Sequence, residues 1–583
     1  MKILLAAVNA KYIHSNLGIY SLKSYADERL LKKAQNRRAL DCWEMVQIDL
    51  AEYTINQRPD EILQDIYKQN PQVLGFSCYI WNIQIIRQLL KDIPKILPRT
   101  DIWLGGPEAS CNAARLLEEE QSVTGIILGE GEETFAELAQ SYGRHETKVG
   151  YGQDEISGIL FRNKDGKIIK TPSRPLLELD DLPFPYKELE GMDHRILYYE
   201  SSRGCPYCCS YCLSSIDKTV RFRSLELVKR ELDVFLEHKV PQVKFVDRTF
   251  NCKKSHALSV WSYLLEHDNG ITNFHFEISG DLIDDDALAV LKRMRKGLIQ
   301  LEIGVQSTNS QTIQEIHRAM DLQQLERVVT SIKTYGNIHQ HLDLIAGLPY
   351  EGLERFKKSF DDVYRMKPEQ LQLGFLKVLA GSHMAKAASK YGICFHEEPP
   401  YEVFSTNWIS YGEILQLKAV EEMVEVYYNS GQFTKTLEEM ENHWASPFAM
   451  FEELAQYYET RNLSDLKHSR LARYEQLFEF LKQRHGEMER YRDLLVWDLY
   501  LRENMKSRPS FARDLTPWKE KIRRFFQEEE KNPVYLKGYE GYDARQISKM
   551  AHLEVMMDGS MILFDYKNRD VLSHNAKAVK IDG

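Results

Sequence analysis

The sequence predicts an α/β protein with a mostly helical C-terminal region. Short apolar runs alternate with helical patterns over the first 145 residues. Apolar runs that end in polar residues recur between residues 191 and 395. From residue 396 onward, long amphipathic helical patterns take over. A chain of 583 residues is too long for one core, so we expect several domains.

The first region, residues 1–145, is expected to form a Rossmann-like doubly wound sheet. A helical pattern over Gly18–Lys33 follows the first of five predicted strands, which are Lys2–Asn9, Trp43–Leu50, Val73–Ser77, Ile102–Leu104 and Gly125–Leu128. A ligand of such a sheet binds beyond the carboxyl ends of its strands. Glycine-rich turns at residues 105–108 and 129–132 would let a large ligand approach the backbone, although helix capping alone also explains them. No G-x-G-x-x-G pattern supports a nicotinamide or flavin dinucleotide.

Residues 146–190 are expected to link this domain to the next. Gly158–Arg162 and Lys167–Lys170 flank Asp165-Gly166, which predicts a β-hairpin. The proline-rich run at residues 182–186 predicts a stiff extended strap at the domain boundary.

Four of the nine cysteines lie within eight residues, and three of them, Cys205, Cys209 and Cys212, have the spacing C-x3-C-x2-C. Thiolates this close can share one metal centre. Zinc would usually require a second, separated pair of ligands, and a disulfide is disfavoured because the chain shows no secretory signal. Spacing alone also allows Cys208 as a ligand.

This cysteine loop, with an aromatic residue before its last cysteine, resembles the cluster loop of radical S-adenosylmethionine (SAM) enzymes. The glycine turns of the first region resemble those of the cobalamin-binding domain in the B12-dependent branch. The resemblance implies that Cys205, Cys209 and Cys212 hold a [4Fe–4S] cluster whose open iron binds SAM. Tyr211 and the order of the family motif leave Cys208 as a bystander.

Residues 191–395 resemble the partial (β/α)6 barrel of this superfamily, with predicted strands Ile196–Ser201, Val243–Val246, Phe274–Ile278, Ile299–Val305, Leu342–Ile345 and Leu371–Leu379. By resemblance, the residues expected to contact SAM are Asp247, Arg248, Glu277, Ser279, Glu302, Gln306, Leu348 and Leu379. Those expected to contact cobalamin are Ser77, Tyr79, Gly105, Gly106, Pro107, Glu108, Gly129, Glu130, Gly131 and Glu132. Taken singly, each polar residue could equally cap a helix or lie on the barrel rim.

The D-x-H-x-x-G motif that supplies histidine to cobalt in other B12 proteins is missing from the sequence. His14 follows the first strand, but its surroundings do not fit that spacing. We therefore interpret His14 as a pocket or loop histidine and not as a cobalt ligand.

Residues 396–583 resemble a domain of unknown function that accompanies one branch of the B12 family. Leu415–Tyr428 and Tyr474–Leu501 are predicted helices, which we expect to pack against the barrel mouth. His552–Met557 and Met561–Tyr566 flank Asp558-Gly559 and predict a small hairpin. The basic run at residues 518–526 is interpreted as a solvated helix face.

The resemblance implies a cobalamin-dependent radical SAM methyltransferase. A 5′-deoxyadenosyl radical would activate an unactivated substrate carbon, and methylcobalamin would supply the methyl group. Two alternatives stay open, which are non-methylating B12 radical chemistry and a non-catalytic corrinoid-binding protein. The substrate class (small molecule, peptide, lipid or RNA) is not predicted.

A formal net charge of −10 disfavours a large nucleic-acid surface, and no apolar run is long enough to span a membrane. The scattered cysteines and the oxygen-sensitive cluster favour a reducing cytoplasm. We expect a monomer that receives electrons from a reductant such as flavodoxin or ferredoxin.

Overall fold

The computed structural model describes residues 1–35, 46–144, 153–187, 189–215, 218–464, 466–484 and 488–581. The first domain is a seven-stranded sheet in the order β2-β1-β3-β4-β5-β6-β7. Its strands are β1 (Lys2–Asn9), β2 (Gln47–Thr54), β3 (Val73–Ser77), β4 (Asp101–Gly105), β5 (Val123–Ile127), β6 (Ile159–Arg162) and β7 (Ile168–Lys170). Its helices are α1 (Leu17–Gln35), α2 (Pro59–Gln69), α3 (Ile83–Ile96), α4 (Pro107–Cys111), α5 (Ala113–Glu119) and α6 (Glu132–Arg144).

Strands β1 to β5 are parallel, which confirms the predicted doubly wound sheet. Apolar cores lie on both faces of this sheet, so its central strands are apolar throughout. The predicted second strand is displaced: it begins at Gln47 and runs to Thr54, while Trp43 lies outside the described residues. The hairpin β6–β7 pairs with β5 in antiparallel fashion. It therefore extends the first sheet and covers the edge that β5 would otherwise expose.

The middle domain contains a six-stranded parallel sheet in the order β15-β14-β13-β12-β11-β8, and an antiparallel ribbon of β9 and β10. Its strands are β8 (Ile196–Tyr199), β9 (Ser202–Arg203), β10 (Arg221–Phe222), β11 (Gln242–Phe245), β12 (Asn273–Ile278), β13 (Ile299–Gln306), β14 (His339–Ala346) and β15 (Gln370–Phe375). Its helices are α7 (Leu225–Glu237), α8 (Lys254–Glu266), α9 (Asp285–Arg293), α10 (Ser310–Glu315), α11 (Leu322–Tyr335), α12 (Leu353–Arg365) and α13 (His383–Ala387).

All six predicted barrel strands are present in chain order, and β8 and β15 form the two edges, so the partial barrel is confirmed. Burial alternates along each strand. Side chains such as Phe274 and Phe276 pack outward against the helices. The alternate positions are polar: the Glu302 carboxylate lies 2.9 Å from both Lys244 Nζ and His275 Nε2. The apolar core of this domain thus lies outside the sheet, and the inner face is lined by polar groups.

The described part of the C-terminal region contains two short strands, β16 (Cys394–Phe395) and β17 (Val403–Ser405), then seven helices and a three-stranded antiparallel sheet. The helices are α14 (Tyr411–Met423), α15 (Thr434–Met440), α16 (Pro447–Thr460), α17 (Arg470–Arg484), α18 (Met488–Arg502), α19 (Lys519–Lys531) and α20 (Ala544–Met550). The sheet comprises β18 (Ala551–Val555), β19 (Met561–Asp565) and β20 (Lys577–Ile581). A π-helical turn, Val424–Asn429, continues α14.

The predicted hairpin is present as β18–β19, and β20 adds a third strand that sequence patterning missed. The single helix predicted over Tyr474–Leu501 is instead two helices, α17 and α18. None of the helices in the described ranges is both long enough and apolar enough to cross a membrane.

Among the described residues, α16 and the π-helical turn pack on the outside of the barrel, which corrects the expectation of packing at its mouth. Phe448 of α16 contacts Phe360 of α12 edge to face. The Asn429 side chain accepts a hydrogen bond from Leu371 N and donates one to Leu371 O, both at 2.9 Å. The Asn429 amide therefore forms the two backbone hydrogen bonds that a neighbouring strand would form, and it covers the open edge of the sheet at β15.

Candidate active site

A cavity of about 700 Å³ opens at the carboxyl ends of β1, β3, β4 and β5. Its walls include eight of the ten residues predicted for cobalamin, namely Ser77, Tyr79, Gly105, Gly106, Gly129, Glu130, Gly131 and Glu132. An apolar floor lies deeper between the sheet, α1 and α6, and includes Ile3, Leu5, Trp103, Phe135 and Leu138. The cavity is thus a large, mostly apolar space with a glycine-rich rim.

Backbone without side chains forms much of that rim. A Cβ atom at Gly106, where φ is +96°, would lie 2.6 Å from Cys78 O. Gly129 has a φ of +70°, and a Cβ there would meet no atom within 4 Å. The first glycine is therefore required by close packing, and the second adopts a backbone conformation that side chains disfavour.

The other two predicted cobalamin contacts lie elsewhere. Pro107 and Glu108 begin α4 and do not line the cavity. The Glu108 carboxylate accepts a hydrogen bond from the Tyr401 hydroxyl, which belongs to the loop between β16 and β17. This contact joins the first domain to the C-terminal region.

A second cavity of about 200 Å³ lies at the mouth of the barrel. Cys205, Cys209 and Cys212 all line it, whereas Cys208 does not. Burial raises the pKa of the Cys209 thiol, and the Arg318 guanidinium beside it favours the thiolate. The three thiols that share the C-x3-C-x2-C spacing thus converge on one space.

Five of the eight residues predicted to contact SAM line this smaller cavity: Arg248, Glu277, Ser279, Glu302 and Gln306. Leu348, Leu379 and Asp247 do not. Leu348 is fully buried in the core. Asp247 accepts hydrogen bonds from Ser201 N at 3.0 Å and from the Ser202 hydroxyl at 2.5 Å, so it secures the chain where it leaves β8 for the cysteine loop.

Gln306 has the features of a residue held for binding. Its φ of +72° lies in a region that residues other than glycine rarely adopt, and it follows a register shift in β13. Its buried Oε1 atom has no hydrogen-bond partner among the described residues. Positive φ and a buried acceptor without a partner in the described part of the chain together set Gln306 apart from the other polar residues that line this cavity.

Two half-buried carboxylates of the smaller cavity have opposite electrostatics. Burial and the nearby Glu302 carboxylate raise the pKa of Glu277 to about 7. Burial would also raise the pKa of Glu302, but hydrogen bonds from His275 and Lys244 hold it well below its usual range. Glu302 is therefore anionic near neutral pH, and Glu277 can gain or lose a proton there.

Sequence patterning missed Arg318, which lies in the loop after α10. This buried guanidinium donates to Gly304 O, and its Nη1 atom lies 3.4 Å from Tyr211 Oη and 3.9 Å from Cys209 Sγ. No strand end or motif marked Arg318, because the helix α10 separates it from β13. Sequence patterning also missed Lys244, which lines the larger cavity, and Asp343, which lines the smaller one.

The two cavities adjoin each other. Arg248 and Glu277 line both of them, so the carboxyl ends of β11 and β12 form their common wall. His14 lines the larger cavity, and its Nδ1 atom lies 2.8 Å from Tyr198 Oη. A ligand in the larger cavity would thus lie next to one in the thiol-lined cavity.

Family models match three parts of the chain. Residues 3–139 match the B12 binding domain, residues 199–363 the radical SAM superfamily, and residues 389–572 a protein family of unknown function, DUF4080. The chain thus combines a B12 binding domain and a radical SAM domain with a C-terminal DUF4080 domain. The cysteine loop lies inside the radical SAM match, and the glycine turns lie inside the B12 match.

Curated relatives are similar over about half of the chain. The cobalamin-dependent radical SAM methyltransferase TokK of Streptomyces tokunonensis is 26% identical over 309 residues, which are 49% of this chain and 44% of the relative. The anaerobic magnesium-protoporphyrin IX monomethyl ester cyclase of Rubrivivax gelatinosus is 22% identical over 312 residues, 52% of this chain and 55% of the relative. The chain thus spans about half the length of these two relatives.

A solved structure extends the similarity of fold to most of the chain. The cobalamin-dependent SAM radical enzyme OxsB, with aqua-cobalamin and SAM bound, superimposes with a TM-score of 0.58 at 16% identity. The match covers 92% of this chain and 81% of OxsB.

The residues at both cavities fit the cofactors of this superfamily. The smaller cavity offers three thiols, the number that a [4Fe–4S] cluster with one open iron requires, and the unsatisfied Gln306 acceptor beside them. The larger cavity offers an apolar floor and glycines whose backbone a bulky corrin could approach.

Proposed function

We propose that this protein is a cobalamin-dependent radical SAM methyltransferase that acts on an unactivated carbon. The observation that carries the proposal is the common wall of the two cavities, formed by Arg248 and Glu277. When bound, SAM and the cluster supply a carbon radical and the corrinoid supplies a methyl group. The chain's own residues have to hold these groups in reach of one substrate atom.

Three thiolates, Cys205, Cys209 and Cys212, would hold the cluster and leave one iron open. The neighbouring Gln306 amide and Glu277 carboxyl would then orient SAM, because both line the same cavity. Arg318 stabilises the thiolate form of Cys209 through its positive charge. These roles are assigned from position and donor chemistry.

The corrinoid would occupy the larger cavity, against the turns at residues 105–106 and 129–132. His14 lines this cavity, and the hydrogen bond between its Nδ1 atom and the Tyr198 hydroxyl orients the imidazole ring. Because the D-x-H-x-x-G motif is missing, we propose that His14 is a pocket residue and not a cobalt ligand.

A reducing compartment and an external electron donor such as flavodoxin or ferredoxin complete the proposal. Cys78, Cys111, Cys252 and Cys394 are free thiols, as expected in the cytoplasm. We also propose that the enzyme works as a monomer.

The test is product analysis with anaerobically reconstituted protein, hydroxocobalamin, SAM and a strong reductant. We expect both 5′-deoxyadenosine and S-adenosylhomocysteine, and no 5′-deoxyadenosine from a Cys209→Ala variant, because reductive cleavage of SAM requires the cluster. Deoxyadenosine without S-adenosylhomocysteine would favour non-methylating radical chemistry, which the cyclase similarity makes the second candidate. No SAM cleavage at all would favour a corrinoid-binding protein without catalysis.

A further inference from the structure

A network of four charged residues joins the larger cavity to the cysteine loop. Arg203 Nη2 donates to Glu132 Oε1 at 2.5 Å, and Arg203 Nη1 lies 3.7 Å from Glu130 Oε1. Arg221 donates to both oxygens of Glu130, with Nη1 to Oε2 at 3.2 Å. Arg203 and Arg221 are paired residues of the β9–β10 ribbon, so two neighbouring guanidinium groups bind two carboxylates of one turn. We refer to these four residues as the charged network.

One side of the charged network forms part of the predicted corrinoid site. Glu130 and Glu132 belong to the glycine turn at residues 129–132, and both line the larger cavity together with Arg203. Glu132 also begins α6, where its carboxylate accepts a hydrogen bond from the Ser21 hydroxyl at 3.0 Å. A shift of this turn on ligand binding would therefore move the carboxylates that Arg203 contacts.

The other side is attached to the cluster ligands by a stiff piece of backbone. Arg203 is separated from Cys205 by Gly204 alone, and Gly204 has a φ of +91°. A Cβ at Gly204 would lie 2.2 Å from Thr219 O, so the backbone of the ribbon encloses this glycine tightly. A displacement of Arg203 would therefore also displace Cys205, because the backbone between these two residues has little freedom to move.

Burial makes the contacts of the charged network difficult to exchange for water. The side chains of Arg203 and Glu132 are only 15% and 6% exposed. Arg203 Nε also donates to Glu200 Oε2 at 2.7 Å, so three carboxylates surround one guanidinium. A buried ion that loses its partner is strongly unfavourable, and the turn and the loop are thereby held in one relative position.

We propose that Arg203 is a positioning residue that couples corrinoid binding to the geometry of the cluster loop. The proposal rests on the proposed function, since it assumes that both cofactors bind. Coupling of this kind is reciprocal: a bound cluster changes the affinity for corrinoid by the same factor by which bound corrinoid changes the affinity for the cluster. The turn at residues 129–132 then transmits a structural change from one cofactor site to the other.

The experiment measures the Kd of hydroxocobalamin by equilibrium dialysis against the full chain, before and after anaerobic loading of the cluster. The ratio of the two Kd values is the coupling factor. In the unsubstituted protein we expect a factor of at least about five, the lower end for allosteric coupling. In an Arg203→Met variant we expect the two Kd values to agree within about twofold, since the coupling is removed while all three cysteines remain.

The matched control is Arg195→Met. Arg195 Nη1 lies 2.5 Å from Glu52 Oε2, the side chains are 16% and 7% exposed, and the pair joins the same two domains. Neither residue lines a cavity. This variant should lose stability but keep the coupling factor, which separates coupling from mere attachment of the domains.

Two results overturn the proposal: a factor of one in the unsubstituted protein, or an unchanged factor in Arg203→Met. Absence of any hydroxocobalamin binding by the unsubstituted protein would instead refute the proposed function. If Arg203→Met does not fold, Glu132→Gln removes the charge with little change of shape and must lower the factor. Arg203→Lys, which keeps the charge, must retain part of it.

Discussion

The two cavities are built in opposite ways. The larger one exists because side chains are missing: glycines form its rim, and an added Cβ at Gly106 would collide with Cys78 O. The smaller one exists because side chains converge: three thiols, several carboxylates and a strained Gln306 surround about 200 Å³. Both lie at the carboxyl ends of parallel strands, so the same fold principle yields two binding sites of different chemistry.

This difference predicts which substitutions harm each site. The larger cavity should be damaged by added atoms, and the smaller cavity by removed donor groups. Three predictions test the distinction, from the largest expected effect to the smallest.

Removal of a thiol that binds iron should abolish binding of the iron–sulfur cluster in the smaller cavity. Cys209→Ala should lose the iron–sulfur cluster, because two thiolates cannot hold three of its irons, whereas Cys208→Ala should keep it. Iron and sulfide content with electron paramagnetic resonance after anaerobic reconstitution gives the measurement. The reverse outcome, with the cluster lost in Cys208→Ala and kept in Cys209→Ala, would overturn the ligand assignment.

A single added methyl group should damage the larger cavity. Gly106→Ala introduces strain at φ +96° and a contact with Cys78 O, so we expect a loss of about 1–3 kcal/mol in the free energy of unfolding. Hydroxocobalamin affinity should fall at least about tenfold while cluster content stays unchanged. Urea unfolding and equilibrium dialysis measure the two effects.

The control for this variant is Gly412→Ala. Gly412 lies in α14, where a Cβ would meet no atom within 4 Å, so the change should be neutral or stabilising by about 0.5 kcal/mol. Equal hydroxocobalamin affinity in Gly106→Ala and the unsubstituted protein would contradict the steric account of the rim.

The smallest of the three effects is the pH dependence of the free energy of unfolding that Glu277, in the common wall of the two cavities, causes. The pKa of Glu277 is about 7 in the folded chain against 4.5 for a free side chain, so the folded state binds more protons between these values. The free energy of unfolding should therefore fall as pH rises from 4.5 to 7 and level off above 7. Because this side chain is one third exposed, solvent reduces the effect to about 1 kcal/mol.

Glu277→Gln should abolish that part of the pH dependence. Other buried acids, such as Asp498 with a pKa of about 7, contribute equally to both proteins and cancel in the comparison. Urea unfolding of the cluster-free unsubstituted protein and of Glu277→Gln, at pH 5 and pH 8, measures the free energy of unfolding of each. Identical pH dependence in the two proteins would show that Glu277 is not the titrating group.

Sequence alone predicted the sheets and the elements that carry the sites, because strand ends, glycine turns and cysteine spacing are local signals. It did not separate polar strand-end residues that line a cavity from those that secure a loop. Asp247 and Arg248 are adjacent, yet Asp247 binds Ser201 and Ser202 while Arg248 lines both cavities. Side-chain direction at the end of a strand depends on the following loop, which the pattern does not encode.

Two further features depend on contacts between distant parts of the chain. Arg318 reaches Cys209 from a loop more than a hundred residues away in sequence, and Asn429 covers the edge strand β15 from the C-terminal domain. The helices there carry an amphipathic pattern that predicts burial but not against which surface. The predicted placement at the barrel mouth was wrong for that reason.

The polar inner face of the barrel has a consequence for how this scaffold can change. Folding of the middle domain depends on the apolar layer between strands and helices, where Phe274 and Phe276 are buried. Lys244, His275 and Glu302 face the other way and contribute little to that layer. Substitutions on the inner face therefore leave the apolar layer intact, and their cost falls on the paired charges of that face.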